Sequence, residues 1–186
     1  MKNICIIFLL SIIISLTAFG LSGENTQTQT LGKEYLRIHI RADSNENEAQ
    51  AVKYIVRDKV VDYLTPLVAE YETLEEAAEG LRLRLSEIEK VAEYTLQEKG
   101  FSYGATVGLR QEYFPTRVYE DYVLSAGEYT ALIIELGAGK GDNWWCVVYP
   151  PLCFAATETD VIYKSKIKEI IEAWKKNNET TTPGMR

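Results

Sequence analysis

Residues 34–41, EYLRIHIR, alternate without a break: Leu36, Ile38 and Ile40 point one way, and Tyr35, Arg37, His39 and Arg41 the other. Such a segment is a strand with one apolar face, and the chain that follows has to cover it. ADSNENE ends the strand, offers the side-chain oxygens of Ser44 or Asn45 as a helix cap, and brings Glu46 and Glu48 to the positive end of a helix dipole. Val52, Ile55, Val56, Val60, Tyr63, Leu64 and Leu67 then recur at three- and four-residue spacing, the stripe of a helix laid on a sheet, with Pro66 marking its end or a kink. Thr73 and Glu76 form a capping box, and Leu74, Ala77, Leu81, Leu85, Ile88, Ala92 and Leu96 carry a second stripe to Gly100. This spacing predicts two consecutive helices.

Beyond Gly100 the pattern changes to short runs rich in Tyr, Val and Phe, separated by Gly and Pro, as in antiparallel strands and their turns. Strands are expected near 103–113, 117–124, 128–136 and 144–149. A last helix over 159–177 uses Ile162, Ile167, Ile170, Ile171 and Trp174 as its apolar face, and 178–186 reads as a disordered tail. The expected fold is a single α+β domain over 34–177: an N-terminal strand, two consecutive helices, mainly antiparallel strands and a C-terminal helix. No internal repeat is visible.

The amino terminus stands apart from this domain. Lys2 precedes an apolar run from Ile4 to Leu16 that extends through Ala18, Phe19 and Leu21, with no charge before Glu24. Residues 1–23 are therefore an export signal or a membrane anchor, with Ala18 and Gly20 giving a small-x-small cleavage pattern. Under either reading the domain is delivered outside the cytoplasm, joined by the polar linker 24–33. A net charge of -7 argues against nucleic acid and anionic membrane surfaces as partners, since both attract positive proteins.

Cys5 lies in the export segment, so Cys146 and Cys153 are the two cysteines of the exported domain. An even pair outside the cytoplasm is a candidate disulfide; two buried free thiols are the other reading. One histidine and no second cysteine pair leave no set of zinc ligands, and no cofactor motif is present. His39 and Cys146 are the residue types of a nucleophile and base pair, which would make the chain a small extracytoplasmic Cys/His hydrolase acting on cell-wall peptide or protein. Against that reading, Cys146 sits between Trp and Val, and an apolar setting keeps a thiol inert. The loop GAGKGDN, 137–143, has glycines and Lys140 but neither Walker spacing nor a helix after it, so it reads as a hairpin loop in place of a phosphate cradle. NWWCVVYPPLCF, 143–154, is the most unusual stretch: on a strand Trp144, Cys146 and Val148 share one face and Trp145, Val147 and Tyr149 the other, so both faces are apolar. It is either a core strand or a partner-binding edge.

LRIHIRADS followed by QAVKYIVRDKV, AGEYTAL at 126–132, and GKGDNWWCVVYPPLCF at 139–154 resemble the stage II sporulation protein R family. Asp43 stands where asparagine is expected, Ser125 where proline is common, and Tyr149 in place of a frequent phenylalanine. The resemblance implies a non-enzymatic protein, made in the forespore and exported into the space between the forespore and mother-cell membranes. There it activates a membrane-embedded aspartic protease by contact with that protein's extracytoplasmic part, and the protease cleaves a pro-sigma factor in the mother cell. On this reading the contact residues are the exposed members of Trp144, Trp145 and Tyr149, with the Arg37, His39 and Arg41 strand face as a second surface.

Overall fold

The computed structural model describes residues 35–119, 122–154 and 161–179. The expected export signal or anchor over 1–23, the expected linker 24–33 and the expected tail from 180 lie outside the described residues; among those described, no helix is long and apolar enough to cross a membrane.

β1 (Leu36–Arg41) leads into α1 (Asn47–Val68), α2 (Leu74–Arg82) and α3 (Leu85–Glu98), followed by β2 (Ala105–Phe114), β3 (Arg117–Tyr119), β4 (Tyr122–Leu124), β5 (Gly127–Leu136), β6 (Asn143–Tyr149) and α4 (Val161–Glu179). The main sheet has the order β2-β5-β1-β6. β1 runs parallel to β5 and antiparallel to β6, while β2 and β5 are antiparallel, so the expected α+β class with mainly antiparallel strands is the one observed.

The alternation of β1 decides the layering. Leu36, Ile38 and Ile40 are fully buried under the helices, in one cluster with Val52, Val56, Val60 and Leu64 of α1, Leu81 of α2, Ile88, Ala92 and Leu96 of α3, and Ile167 of α4. The other face holds a smaller cluster of Phe114, Tyr129, Ala131 and Ile133, with Tyr35 and Trp145 against it.

Three local expectations change. Glu46, not Ser44 or Asn45, occupies the N-cap of α1 and makes no side-chain cap bond. Asn45 Oδ1 instead accepts the Asp142 N–H at 2.6 Å, because the loop before β6 lies against this turn and takes the oxygen a cap would have used. The stripe over 73–100 is two helices, broken at Leu83 and Arg84; Leu81, Leu85 and Ile88 stay on the core across the break, which is why periodicity alone does not reveal it. Residues 117–124 form the two short strands of a hairpin, β3 and β4, in which Val118 faces Val123. Of the expected capping box, Thr73 Oγ1 accepts the Glu76 N–H at 3.1 Å, while Glu76 Oε2 reaches back one residue beyond the cap to accept the Glu72 N–H at 2.9 Å.

Candidate partner-binding surface

The second sheet face gathers residues from four strands. In register, Arg37, His39 and Arg41 of β1 lie beside Ala131, Ile133 and Glu135 of β5, with Trp145 of β6 opposite His39 on the other side; on β2, Arg110 pairs with Ala131, while Glu112 and Phe114, opposite Tyr129 and Gly127, reach this row through their side chains. The β3–β4 hairpin bends over one end, so this row is graded from buried to open.

Arg37 is at the closed end and fully buried. Its Nε donates to the Cys146 carbonyl at 3.1 Å and Nη2 to the Tyr119 hydroxyl at 2.8 Å, while the guanidinium lies 4.4 Å from the Phe114 ring centre and 4.8 Å from that of Tyr129. Nη1 finds no acceptor, and no carboxylate pairs with this arginine among the described residues. Burial lowers its pKa, opposed by the two tyrosines, yet arginine begins so high that it keeps its charge. Aromatic faces stand in for the missing anion.

His39, 2 % exposed, lies between the rings of Phe114 and Trp145, with centroids 5.8 and 5.2 Å away. Burial depresses its pKa to about 4, so the ring is neutral near pH 7. Its Nδ1 is 3.8 Å from Glu112 Oε1, beyond hydrogen-bond length, and neither ring nitrogen has a partner.

Arg41 begins the open end. It donates to Glu135 Oε1 at 2.7 Å and to Glu112, while Arg110 reaches Glu112 Oε2 at 3.4 Å and Glu135 Oε1 at 3.2 Å. Burial alone would raise the pKa of Glu135, but the two arginines outweigh it and hold the carboxyl below its usual range. Two arginines and two glutamates thus balance one another.

Alternation divides the two tryptophans of β6, whereas a register shift between Leu36 and Arg37 sets Tyr149 opposite Leu36 on the helix side and not, as expected, on the face of Trp145 and Val147. Trp144 points to the helix side, partly exposed, with the Arg57 guanidinium 5.6 Å from its ring centre; Trp145 points to the other, also partly exposed, with Arg117 of the hairpin at 4.0 Å. The Tyr149 hydroxyl donates to the Glu72 carbonyl at 2.5 Å, and its ring lines a cleft of about 430 Å³ with Tyr71, Pro150, Ile170 and Trp174. Of the six sequence-selected residues, Trp144, Trp145, Tyr149 and Arg41 are therefore partly exposed, whereas Arg37 and His39 have no side-chain surface to offer. Arg117, Tyr119 and Phe114, which package this face, went unnoticed in the sequence because their role depends on where the hairpin folds.

Cys146 is buried on the helix side, opposite Ile38, and is paired with Cys153; their Cα atoms are 6.3 Å apart, within disulfide range. His39 projects from the other side of the same sheet. A Cys146–His39 dyad is therefore not formed. Among the described residues no group of three or more His, Cys, Asp or Glu side chains could hold a metal ion.

The glycine loop before β6 is not the hairpin loop expected, because β1 lies between β5 and β6 in the sheet; it has a structural task. Asp43 Oδ1 accepts the Ala138 N–H at 2.7 Å, the Asp43 carbonyl that of Lys140 at 3.1 Å, and the Ala42 carbonyl that of Gly141 at 2.8 Å. A Cβ at Gly141 would sit 2.1 Å from the Ser44 carbonyl oxygen, so only glycine allows this approach. Buried Lys53 completes the joint by donating to the Asp142 carbonyl at 3.0 Å. The turn after β1 and the loop before β6, two stretches far apart in sequence, are one joint. An aspartate serves at position 43 because the turn uses a side-chain oxygen, which a carboxylate provides as well as an amide.

The sequence profile of the family described as Stage II sporulation protein R matches residues 32–159, a span that takes in this joint, both sheet faces and the cysteine pair. The chain belongs to the stage II sporulation protein R family. It is 34 % identical over 184 residues to the Stage II sporulation protein R of Bacillus subtilis (strain 168), covering 96 % of this chain and 81 % of the relative. No solved structure matches it.

Proposed function

We propose that this member of the family is an exported signalling protein of endospore formation, which binds and switches on a membrane-embedded aspartic protease so that a pro-sigma factor is processed in the mother cell. The observation that carries this reading is the family match over residues 32–159, together with a relative named for stage II of sporulation. Two features are consistent with it: the apolar segment 1–23 suits export, and a cysteine pair suits an oxidising compartment. The Cys/His hydrolase reading has lost its dyad to the sheet, which separates Cys146 from His39.

A protein on one side of a membrane acts on a protease of the other side by contact, and the contact has to favour the active arrangement. Each 1.4 kcal/mol of preference shifts that equilibrium about tenfold. The contact we favour is the β6 edge, where Trp144 and Trp145 offer aromatic surface on both sides of one strand with Arg57 and Arg117 stacked on them. Arg41 and Tyr149 flank it.

The test is co-expression with the candidate protease and its pro-sigma substrate in a host that does not sporulate. Processed sigma factor should accumulate only when all three proteins are present. Equal processing without this chain, or none with it at matched protein levels, would overturn the proposal.

A further inference from the structure

β2 is an edge strand, and its outer side is half covered. Val107 sends its N–H away from β5 to Glu89 Oε2 of α3, at 3.2 Å. Since the hydrogen-bonding direction alternates along a strand, Leu109, Gln111 and Tyr113 also point their N–H and C=O groups outward. These find no protein partner among the described residues. Tyr113 is 62 % exposed, Arg110 and Gln111 are exposed too, and the segment contains no proline. An open edge of this kind is a template for another strand, and soluble proteins ordinarily blunt it, as Glu89 does one turn of the pleat earlier.

The residues along the open part are complementary to themselves. Laid antiparallel on a second copy about a two-fold axis at Gln111, Gln111 meets Gln111, Leu109 meets Tyr113, and Arg110 meets Glu112, each twice by symmetry. The apolar pair falls on the helix side and the oppositely charged pair on the other, so each face carries its matching contact. Outward groups at 109, 111 and 113 face one another in this register, which gives six interchain backbone hydrogen bonds. A one-residue slip would set inward-bonded residues opposite outward ones and lose them all.

We propose that this protein forms a two-fold dimer by joining β2 of one copy to β2 of another, extending the four-stranded sheet to eight strands across Gln111. The contact is short, about five residues a side, below the roughly 1,200 Å² of a standard stable interface, so the dimer is a reversible one. This inference stands on the edge geometry and not on the protease reading: a dimer without protease activation, or activation by a monomer, separates the two.

Cysteine cross-linking of the full exported chain tests it, with Cys5→Ser to remove the thiol of the export segment. In a hydrogen-bonded antiparallel pair the Cα atoms are about 5.5 Å apart, within disulfide range, so Gln111→Cys should link two copies under mild oxidation. Leu83→Cys, at an exposed site on the helical side, should not. Non-reducing gels should show at least about ten times more dimer for Gln111→Cys, given how steeply disulfide formation depends on Cα separation. Adding Arg110→Glu, which sets like charges opposite Glu112 of the second copy, should reduce that dimer several-fold; because Arg110 also pairs with Glu112 and Glu135 within its own chain, dimer yields are compared at a temperature where tryptophan fluorescence shows both proteins folded. Tyr113→Pro, which removes an outward N–H without touching the β5 ladder, should do the same. If that variant fails to fold, Arg110→Glu alone decides. Dimer no more abundant than for Leu83→Cys, dimer insensitive to Arg110→Glu, or capture of a different protein at position 111 in place of a second copy would each overturn the proposal.

Discussion

Acidification should destabilise this fold through His39 before it touches most of the carboxylates. In the folded chain the imidazole is held neutral with a pKa of about 4, against 6.5 for an exposed histidine. The unfolded chain therefore takes up a proton first as the pH falls, and stability is lost between the two values; above pH 6.5 the contribution is complete, and below about 4 the loss is complete. For one group with these constants the penalty is about 2 kcal/mol at pH 5 and about 3 kcal/mol at pH 4, relative to pH 7. Glu135, held below its usual range by Arg110 and Arg41, adds its own pH dependence at the acid end, so the comparison to make is with His39→Gln, which keeps a side chain of similar reach without a titrating ring. Urea unfolding of both proteins at pH 7, 6, 5 and 4, followed by tryptophan fluorescence, gives the difference directly. The advantage of the histidine protein over the variant should shrink by about 3 kcal/mol across that range, the free energy of the shift. A difference that stays flat would mean that the ring is protonated in the folded state or reaches solvent, and the burial of this face would have to be redrawn.

Three further outcomes follow from the joint, the cysteines and the β6 edge. Gly141→Ala should cost about 2–3 kcal/mol in thermal unfolding, because its Cβ meets backbone and not a side chain that can swing away. A Cys5→Ser chain recovered from outside the cytoplasm should react with a thiol-alkylating reagent only after reduction, and reduction should remove about 2.4 kcal/mol, the chain-entropy value for so short a loop; alkylation of the unfolded, unreduced chain would exclude the bridge. Trp144→Ala and Trp145→Ala, compared at matched protein levels, should each lower pro-sigma processing at least about fivefold, the effect of 1 kcal/mol at a contact. Full processing by both would remove the β6 edge from the mechanism.

The layers of the fold were legible because they follow from periodicity: the alternation of β1 and the stripe from Val52 to Leu96 are enough to place helices on one side of a sheet. The breaks were not. Leu83 and Arg84 interrupt the helix without disturbing its apolar period, and the run 117–124 contains no Gly, Asn or Pro to announce that it divides into β3 and β4. Ser44 and Asn45 have the chemistry of caps, but a loop about a hundred residues downstream claims the Asn45 oxygen. For the site, type and position were visible and exposure was not. Arg37 and Arg41 share one strand face, yet one is sealed under Tyr119 and Phe114 and the other opens onto a charge network, because the hairpin reaches only half of that face.

The most direct measurement compares pro-sigma processing by two forms of this chain in the co-expression host: one with residues 1–23, and one starting at residue 24 and so confined to the cytoplasm with the sigma factor. If the chain is an exported ligand of the protease, the first form restores processing and the second, at equal abundance and equally folded, does not. Equal processing by the confined form would place its action in the cytoplasm and contradict signalling across the membrane.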